Sequence, residues 1–169
     1  EYTRPSRIVD RGQVVMKEAL SEPELLDFQG VGSLEAFNTD GLRSLARTYL
    51  AKVPSMKEKT LRYPGHIELM RVLRHIGLMG TDPIAVKDTS IVPRDLLAQL
   101  MFPQWTYQPG EEDRTVMRIV GIGSFRNKQT RVQWDLFDLF NRETDATSMS
   151  RTTAFPCAAA ARMLADVIA

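Results

Sequence analysis

The chain has little of what would indicate a disulfide framework, a structural metal or a polyanionic partner. Its single cysteine, Cys157, has no second cysteine to pair with. Its two histidines, His66 and His75, would lie on different sides of any one helix, which argues against joint metal ligation. Lysine and arginine number 22 against 21 acidic residues, and a net charge of +1 provides no field that attracts nucleic acid. No metal and no nucleic-acid partner are therefore expected.

Long apolar runs and a secretory signal are also missing. No apolar run approaches the roughly 20 residues that a membrane-spanning helix needs, and the first residues are polar. Together with the lone cysteine, these absences favour a soluble protein of the reducing cytoplasm that does not act at a membrane. Because the chain starts at Glu1 without an initiator methionine, in strand-like sequence, we expect it to be a piece of a longer protein.

Strand-like segments occur in hairpin-sized groups. An Asp-x-Gly turn at 10–12 lies between apolar residues, which is the pattern of a β-hairpin. Two runs rich in β-branched and aromatic residues, 115–120 and 130–137, are predicted to pair antiparallel through a connection at 121–127. Further strands are predicted at 25–28, 34–37 and 84–86.

Helices are predicted between these strand groups. Asp40 is expected to cap a helix that begins at Gly41, and Pro103 is expected to stop another that follows Pro93. Apolar spacing predicts a helix over 67–76 that ends at Gly77, and a last helix from about Ser148, with Cys157 buried in it. This grouping predicts an α+β fold with a mixed, mainly antiparallel sheet and helices on one face.

A glycine-rich dinucleotide-binding motif is missing. Gly30-Val31-Gly32 lacks the third glycine, and the glycines at 121 and 123 fall in a predicted hairpin rather than before a helix. We therefore expect this chain to bind no nicotinamide cofactor by itself.

Three polar groups could carry chemistry, and each also has a purely structural explanation. The string at 57–66, KEKTLRYPGH, brings cations, hydroxyls and an imidazole to a helix N-terminus, which suits a carboxylate ligand, although a solvated charged loop would look the same. Asp40 is either a helix cap or a site for an ammonium group or a proton. Ser150-Arg151-Thr152-Thr153 offers an arginine fork beside hydroxyls that capping alone would explain.

These groups lie in segments that closely resemble the saccharopine dehydrogenase family. The segments are FNTDGLR at 37–43, KEKTLRYPGH at 57–66 and SMSRTTAFP at 148–156. The strings EYTRP at 1–5 and ALSEP at 19–23 are similar to bacterial members, including lysine 6-dehydrogenases. The likeness runs nearly end to end and favours the chemical interpretation of the polar groups. Asn38 departs from it, standing where the family most often has a tyrosine.

The resemblance implies a domain organisation. Residues 1–147 would be an α+β substrate-binding and dimerisation domain, similar to the C-terminal domain of glyceraldehyde-3-phosphate dehydrogenase-like enzymes. Residues 148–169 would be a helix that packs on a Rossmann domain absent from this chain. That Rossmann domain would hold NAD or NADP in the full-length protein, so the fragment alone is expected to be inactive, and a homodimer is expected.

The resemblance also implies an activity, namely NAD(P)-dependent oxidation at a CH–NH or CH–NH2 group in lysine biosynthesis or degradation, with saccharopine or lysine as substrate. L-lysine 6-dehydrogenase is one specific alternative. A dehydrogenase of the carboxynorspermidine type and a non-catalytic scaffold or oligomerisation module are the others.

Within the matched motifs, residue chemistry suggests a role for each polar side chain. Arg62 is the first choice for binding the substrate carboxylate and Arg43 the second, while Asp40 suits the ammonium group. Catalytic proton transfer is assigned to Lys59, His66 or Asp40. The remaining predicted substrate-binding residues are Thr39, Thr60, Tyr63, Arg151, Thr152 and Thr153.

Overall fold

The computed structural model describes residues 1–168 and divides into two compact units, Glu1–Trp105 and a second that begins at Thr106. The described residues form four helices and nine strands, which confirms the α+β class. The strands pair only antiparallel within this range and make four small sheets instead of one mixed sheet. Over residues 1–168 no helix combines the length and the hydropathy needed to cross a bilayer.

The strands of the first unit follow the local signals closely. The predicted first hairpin is present, and its turn residues Arg11 and Gly12 have φ of 49° and 76°, as a two-residue turn of type I′ requires. A three-stranded sheet of order β3-β4-β5 comes next, and a small third hairpin, whose second strand was not predicted, completes the set. The strands are β1 (Ser6–Asp10), β2 (Gln13–Lys17), β3 (Glu24–Phe28), β4 (Gly32–Asn38), β5 (Lys59–Arg62), β6 (Ile84–Val86) and β7 (Thr89–Ile91).

The helices of the first unit correct two predictions. Asp40 does not cap the first helix, because its carboxylate pairs with Arg7 and the N-cap position is Leu42. Pro103 does not stop the third helix, which continues to Trp105, where the indole packs against Tyr2. The helices are α1 (Arg43–Tyr49), α2 (His66–His75) and α3 (Pro93–Trp105). The third helix therefore continues past a residue that disfavours a helix interior by roughly 3 kcal/mol.

Two buried clusters hold the first unit together. One joins Phe37 of β4 to Ile67 and Met70, which lie three residues apart on one face of α2. The other joins Val9 of β1 to one side of α1. Because Phe37 directly precedes the polar segment 38–41 in the chain, the first cluster fixes the position from which that segment starts.

The second unit is a long hairpin with one helix. Its elements are β8 (Arg114–Phe125), β9 (Lys128–Leu139) and α4 (Ser148–Ile168). The connection is only Arg126-Asn127, shorter than the predicted 121–127, because the glycines at 121 and 123 pair within the ladder. Every residue from 153 to 167 is exposed, so Cys157 is exposed and not buried as predicted, because the bonds that join α4 to the hairpin β8-β9 lie in the first turn of the helix.

Asp113 anchors the start of α4 to the hairpin. Its two carboxylate oxygens accept hydrogen bonds from the backbone N–H groups of Ser148 and Met149 at 2.6 and 2.8 Å, and the residue is buried. Asp113→Ala should lower the free energy of unfolding by about 1–2 kcal/mol, because two N–H groups at the helix start lose their acceptor. Urea unfolding followed by circular dichroism measures this. The neighbouring Glu112→Ala, which breaks only a surface ion pair with Arg142, should cost under about 1 kcal/mol. Equal shifts in the two variants would contradict the anchoring role.

Candidate functional site

A cavity of about 290 Å³ lies where the segment after β4 meets the start of β5. This Thr60 cavity brings together four of the predicted substrate-binding residues, which come from two parts of the chain about 20 residues apart. Its lining residues are Glu1, Arg4, Thr39, Asp40, Gly41, Arg43, Glu58 and Thr60.

The antiparallel pairing of β4 with β5 creates this juxtaposition. Asn38, the last residue of β4, pairs with Lys59. The next residue, Thr39, therefore lies beside Glu58 and Thr60, which flank Lys59 in the chain. The Thr39 backbone N–H donates to the Glu58 carbonyl at 3.2 Å, and the hydroxyl oxygens of Thr39 and Thr60 lie 2.8 Å apart. Strand register therefore places the two predicted threonines side by side.

The Glu58 carboxylate bonds to one of these two hydroxyls, and no sequence pattern predicted a role for it. Its Oε2 accepts hydrogen bonds from the Thr39 hydroxyl at 2.5 Å and from the Gly41 backbone N–H at 3.0 Å. Gly41 permits this approach, because a Cβ at that position would lie 2.5 Å from Cδ of Glu58. The available signal was the two-residue spacing of Glu58 and Thr60, which puts both on one side of an extended segment.

Asp40 forms a two-pronged ion pair with Arg7. Its carboxylate receives Nε of Arg7 at 2.6 Å and Nη2 at 2.9 Å, and hydrogen bonding from this guanidinium lowers the pKa of Asp40. A carboxylate with a lowered pKa has little tendency to take a proton near neutral pH. The geometry therefore suits binding of a cation more than proton transfer.

Two arginines provide the positive charge of the Thr60 cavity. Arg43 donates one hydrogen bond, from Nε to the carbonyl of Asp40 at 3.3 Å, and the residue is exposed. Arg4 is exposed and makes no hydrogen bond or ion pair with any residue in the part of the chain that the structure describes. Both guanidinium groups can therefore receive an anion without breaking an ion pair.

Arg62, the first choice for the substrate carboxylate, is already engaged. Its guanidinium donates to Glu1 Oε2 at 2.7 Å, to the Tyr2 hydroxyl at 3.2 Å and to the Leu61 carbonyl at 2.8 Å. Glu1 lines the Thr60 cavity, whereas Arg62 is not among its lining residues. Tyr63 is exposed next to it.

His66 lies in an aromatic cluster with Tyr2 and Trp105. Its Nε2 is 3.0 Å from the Tyr2 hydroxyl, and its ring is 6.2 Å from the Trp105 ring. Burial lowers the pKa of His66, and the positive charge of Arg62 lowers it further. The imidazole is therefore neutral near pH 7, and its Nε2 can accept the tyrosine proton.

The lowered pKa of His66 predicts a pH-dependent stability. Below the ordinary histidine pKa of 6.5 the unfolded chain binds a proton more readily than the folded chain, so stability should fall as pH drops from 7 to 5. The slope from one group is at most about 1.4 kcal/mol per pH unit. Urea unfolding at several pH values measures it. His66→Gln should reduce the slope. A slope untouched by His66→Gln would contradict this assignment.

Lys59 is engaged with other groups. Its ammonium group lies 2.7 Å from a Glu24 carboxylate oxygen and donates to the Glu22 carbonyl at 2.6 Å. The Glu22 carboxylate is in turn held by Lys17 and Lys57, whose hydrogen bonds lower its pKa to about 2. Lys59 therefore belongs to a charged network around Glu22, and it is not among the residues that line the Thr60 cavity.

The N-terminus of α2, predicted to receive a carboxylate, has one from the chain itself. Glu35 on β4 accepts a hydrogen bond from the Ile67 backbone N–H at 3.2 Å. This interaction stabilises the helix start and reduces the room there for a substrate carboxylate.

The other three predicted residues lie in the second unit, at the start of α4. Arg151 donates to the Leu139 carbonyl at 3.1 Å and lies 3.4 Å from an Asp138 carboxylate oxygen, and the Thr152 hydroxyl donates to the Ser148 carbonyl. Thr153 is exposed. Arg151 thus stabilises the junction of α4 with β9, whereas the Thr152 hydroxyl bonds within the first turn of α4.

A larger cavity of about 830 Å³ lies between the segment at 18–22 and one face of α2. Its arginines are engaged, since Arg71 and Arg74 donate to the carbonyls of Leu20 and Ala19. None of the predicted site residues lines it. Within residues 1–168, no three His, Cys, Asp or Glu side chains are grouped closely enough to hold a metal ion. The smaller Thr60 cavity is therefore the better candidate site.

Comparison with known proteins supports the resemblance seen in the motifs. A family model described as Saccharopine dehydrogenase C-terminal domain matches residues 1–168, which include every residue of the Thr60 cavity.

Proposed function

Because this chain belongs to the saccharopine dehydrogenase C-terminal domain family, we propose that it binds the amino-acid substrate of an NAD(P)-dependent dehydrogenase acting at a CH–NH or CH–NH2 group. The family is one of oxidoreductases, which makes this a dehydrogenase-type substrate-binding domain. The Thr60 cavity carries the proposal, since it sets two available guanidinium groups beside carboxylates and hydroxyls. An α-amino acid presents the matching pair of charges.

Lysine and saccharopine are the proposed substrates, because both carry an α-amino acid group whose two charges match the arginines and carboxylates that line this cavity. Arg43, with Arg4, is placed to bind the carboxylate, because both line the cavity, whereas Arg62 is paired with Glu1 and does not line it. Asp40 is placed to accept from the ammonium group. In this scheme Arg62 holds Glu1 at the cavity wall.

The nicotinamide nucleotide would be bound outside this chain. Classical dinucleotide-binding folds use parallel strands joined by helices, and all strand pairs among residues 1–168 are antiparallel. This antiparallel pairing supports the assignment of the cofactor to a Rossmann domain of a longer protein. There NAD or NADP would accept the hydride.

His66 is the proposed group for the amine proton. The imidazole is neutral near pH 7, so one of its ring nitrogens can accept a proton. It does not line the Thr60 cavity, and its Nε2 hydrogen-bonds with the Tyr2 hydroxyl. Lys59 is the weaker candidate, since its ammonium group is held by Glu24 and the Glu22 carbonyl.

The second unit is the proposed assembly surface. Residues 153–167 of α4 are exposed along their whole length, including Met163, Leu164 and Val167. An apolar helix face of this kind is stabilised when another surface covers it. We propose that the Rossmann domain covers α4 and that a homodimer forms through the hairpin β8-β9, which exposes Ile122 and Trp134.

An NAD(P)-coupled assay of the full-length protein with lysine and with saccharopine tests the proposed activity. Arg43→Ala should lower kcat/KM by about 100-fold, because a carboxylate in the cavity loses its charge-assisted bonds. Arg47→Ala, the same change one turn further along α1, should have little effect, since Arg47 does not line the cavity. Turnover of a carboxyamine of polyamine metabolism instead would favour the carboxynorspermidine-type alternative. A folded protein with no turnover of any of the three would favour a scaffold.

A further inference from the structure

We propose that Glu58 is a positioning residue that fixes the direction of a hydroxyl chain and so makes the Thr60 hydroxyl an acceptor for the substrate's α-ammonium group. This inference rests on the proposed function, since it assigns one end of the proposed amino-acid substrate to one wall of the Thr60 cavity.

The direction of the chain follows from counting protons. Glu58 Oε2 accepts from the backbone N–H of Gly41, which can only donate, so this oxygen acts as an acceptor. The Thr39 hydroxyl has one proton, and at 2.5 Å it donates that proton to Glu58. The Thr39 oxygen can then only accept from Thr60, 2.8 Å away. Thr60 has thereby used its own proton and keeps a lone pair to offer to the cavity that it lines.

Burial and charge make this direction matter. Thr39 is only 6% exposed, so little water is available to reverse the chain. Of the three carboxylates that line the cavity, those of Glu1 and Asp40 are paired with Arg62 and Arg7, so it is the negative charge of Glu58 that favours a cation beside Thr60. A carboxylate or carbonyl oxygen of the substrate would be repelled there, because it would face a lone pair of the Thr60 hydroxyl oxygen. The wall at Thr60 therefore suits an N–H donor, while Arg4 and Arg43 suit the carboxylate.

The experiment compares the binding of lysine and 6-aminohexanoate, which is lysine without its α-amine, to the full-length protein by calorimetry. Wild-type protein should bind lysine at least 10-fold more tightly, because 6-aminohexanoate leaves Thr60 without a donor. Thr60→Val and Glu58→Met should each reduce this preference by about 10-fold or more. They should leave the affinity for 6-aminohexanoate nearly unchanged.

Conservative variants separate positioning from a merely structural role. In Glu58→Gln the amide oxygen can accept from both Thr39 and Gly41, so the preference for lysine should be retained within about threefold. Thr60→Ser keeps the hydroxyl and should likewise retain it. Circular dichroism checks that each variant is folded. If Glu58→Met is misfolded, the result for Thr60→Val alone tests the proposal.

Several outcomes would overturn the proposal. One is a wild-type protein without preference for lysine, and another is a preference that survives both Thr60→Val and Glu58→Met. A third is a loss of affinity for both ligands alike, which would assign Glu58 a structural role. A wild-type protein that shows the Thr60-dependent preference but oxidises neither lysine nor saccharopine would uphold this subsite and refute the proposed activity.

Discussion

Gly41→Ala in the full-length protein should lower kcat/KM for the amino-acid substrate by about 10- to 100-fold while the fold is retained. The added Cβ would lie 2.5 Å from Cδ and 2.6 Å from Oε2 of Glu58, so this carboxylate has to move. Its hydrogen bonds with Thr39 and the Gly41 N–H are then lost. The displaced side chain and the new methyl group also reduce a cavity of only about 290 Å³.

This substitution is informative because it tests a close approach rather than backbone conformation. Glu58 is a flexible side chain, so its displacement has little cost for the fold. The matched control is Gly123→Ala in β8, where a Cβ meets nothing within 4 Å, and it should leave kcat/KM unchanged. Steady-state kinetics and thermal unfolding of both variants are the measurements. Equal activity of Gly41→Ala and wild type would exclude a catalytic need for the Glu58 position.

Phe37→Ala should lower the free energy of unfolding of the first unit by about 3–5 kcal/mol, the usual cost of emptying a buried aromatic site. Phe37 is fully buried, packs with Ile67 and Met70, and stacks on Tyr2 with ring centroids 6.1 Å apart. Since a domain of this size is stable by only about 5–15 kcal/mol, much of its margin would be lost.

Phe37→Ala should disturb the Thr60 cavity as strongly as it lowers the stability of the first unit. Phe37 holds β4 against α2, and the polar segment at 38–41 follows it directly in the chain. Without Phe37, the residues of this segment that line the Thr60 cavity should no longer be held in fixed positions. Phe102→Ala, the same change at an exposed position of α3, is the control and should cost under about 1 kcal/mol. Urea unfolding followed by circular dichroism measures both. Similar midpoints for the two variants would refute the central position of Phe37 in the core.

The predictions that succeeded rest on interactions between neighbours in the chain. The Asp-x-Gly turn, the apolar spacing of α2 and the β-rich runs of β8 and β9 specify their structures through sequence separations of a few residues. The predictions that failed needed a distant partner. Pro103 lies inside a helix that packs through Trp105 on Tyr2. Asp40 does not cap a helix, and its carboxylate binds Arg7, 33 residues away.

The candidate site divides in the same way. Residue chemistry and the family resemblance selected Thr39, Asp40, Arg43 and Thr60, and the structure brings these four to one cavity. Neither indicated Glu58, because its contact with Gly41 spans 17 residues and depends on the pairing of β4 with β5. Nor could they show that Arg62 is held by Glu1 across 61 residues.

The sequence by itself determined the α+β class, most of the local elements and the set of polar side chains available for chemistry, since these depend on periodicity, turn residues and composition. Only the tertiary structure decided which of those side chains are neutralised by a partner and which share a cavity. Ion pairs and hydroxyl chains act over a few ångströms in space. The strand register that sets those distances joins residues far apart in the chain.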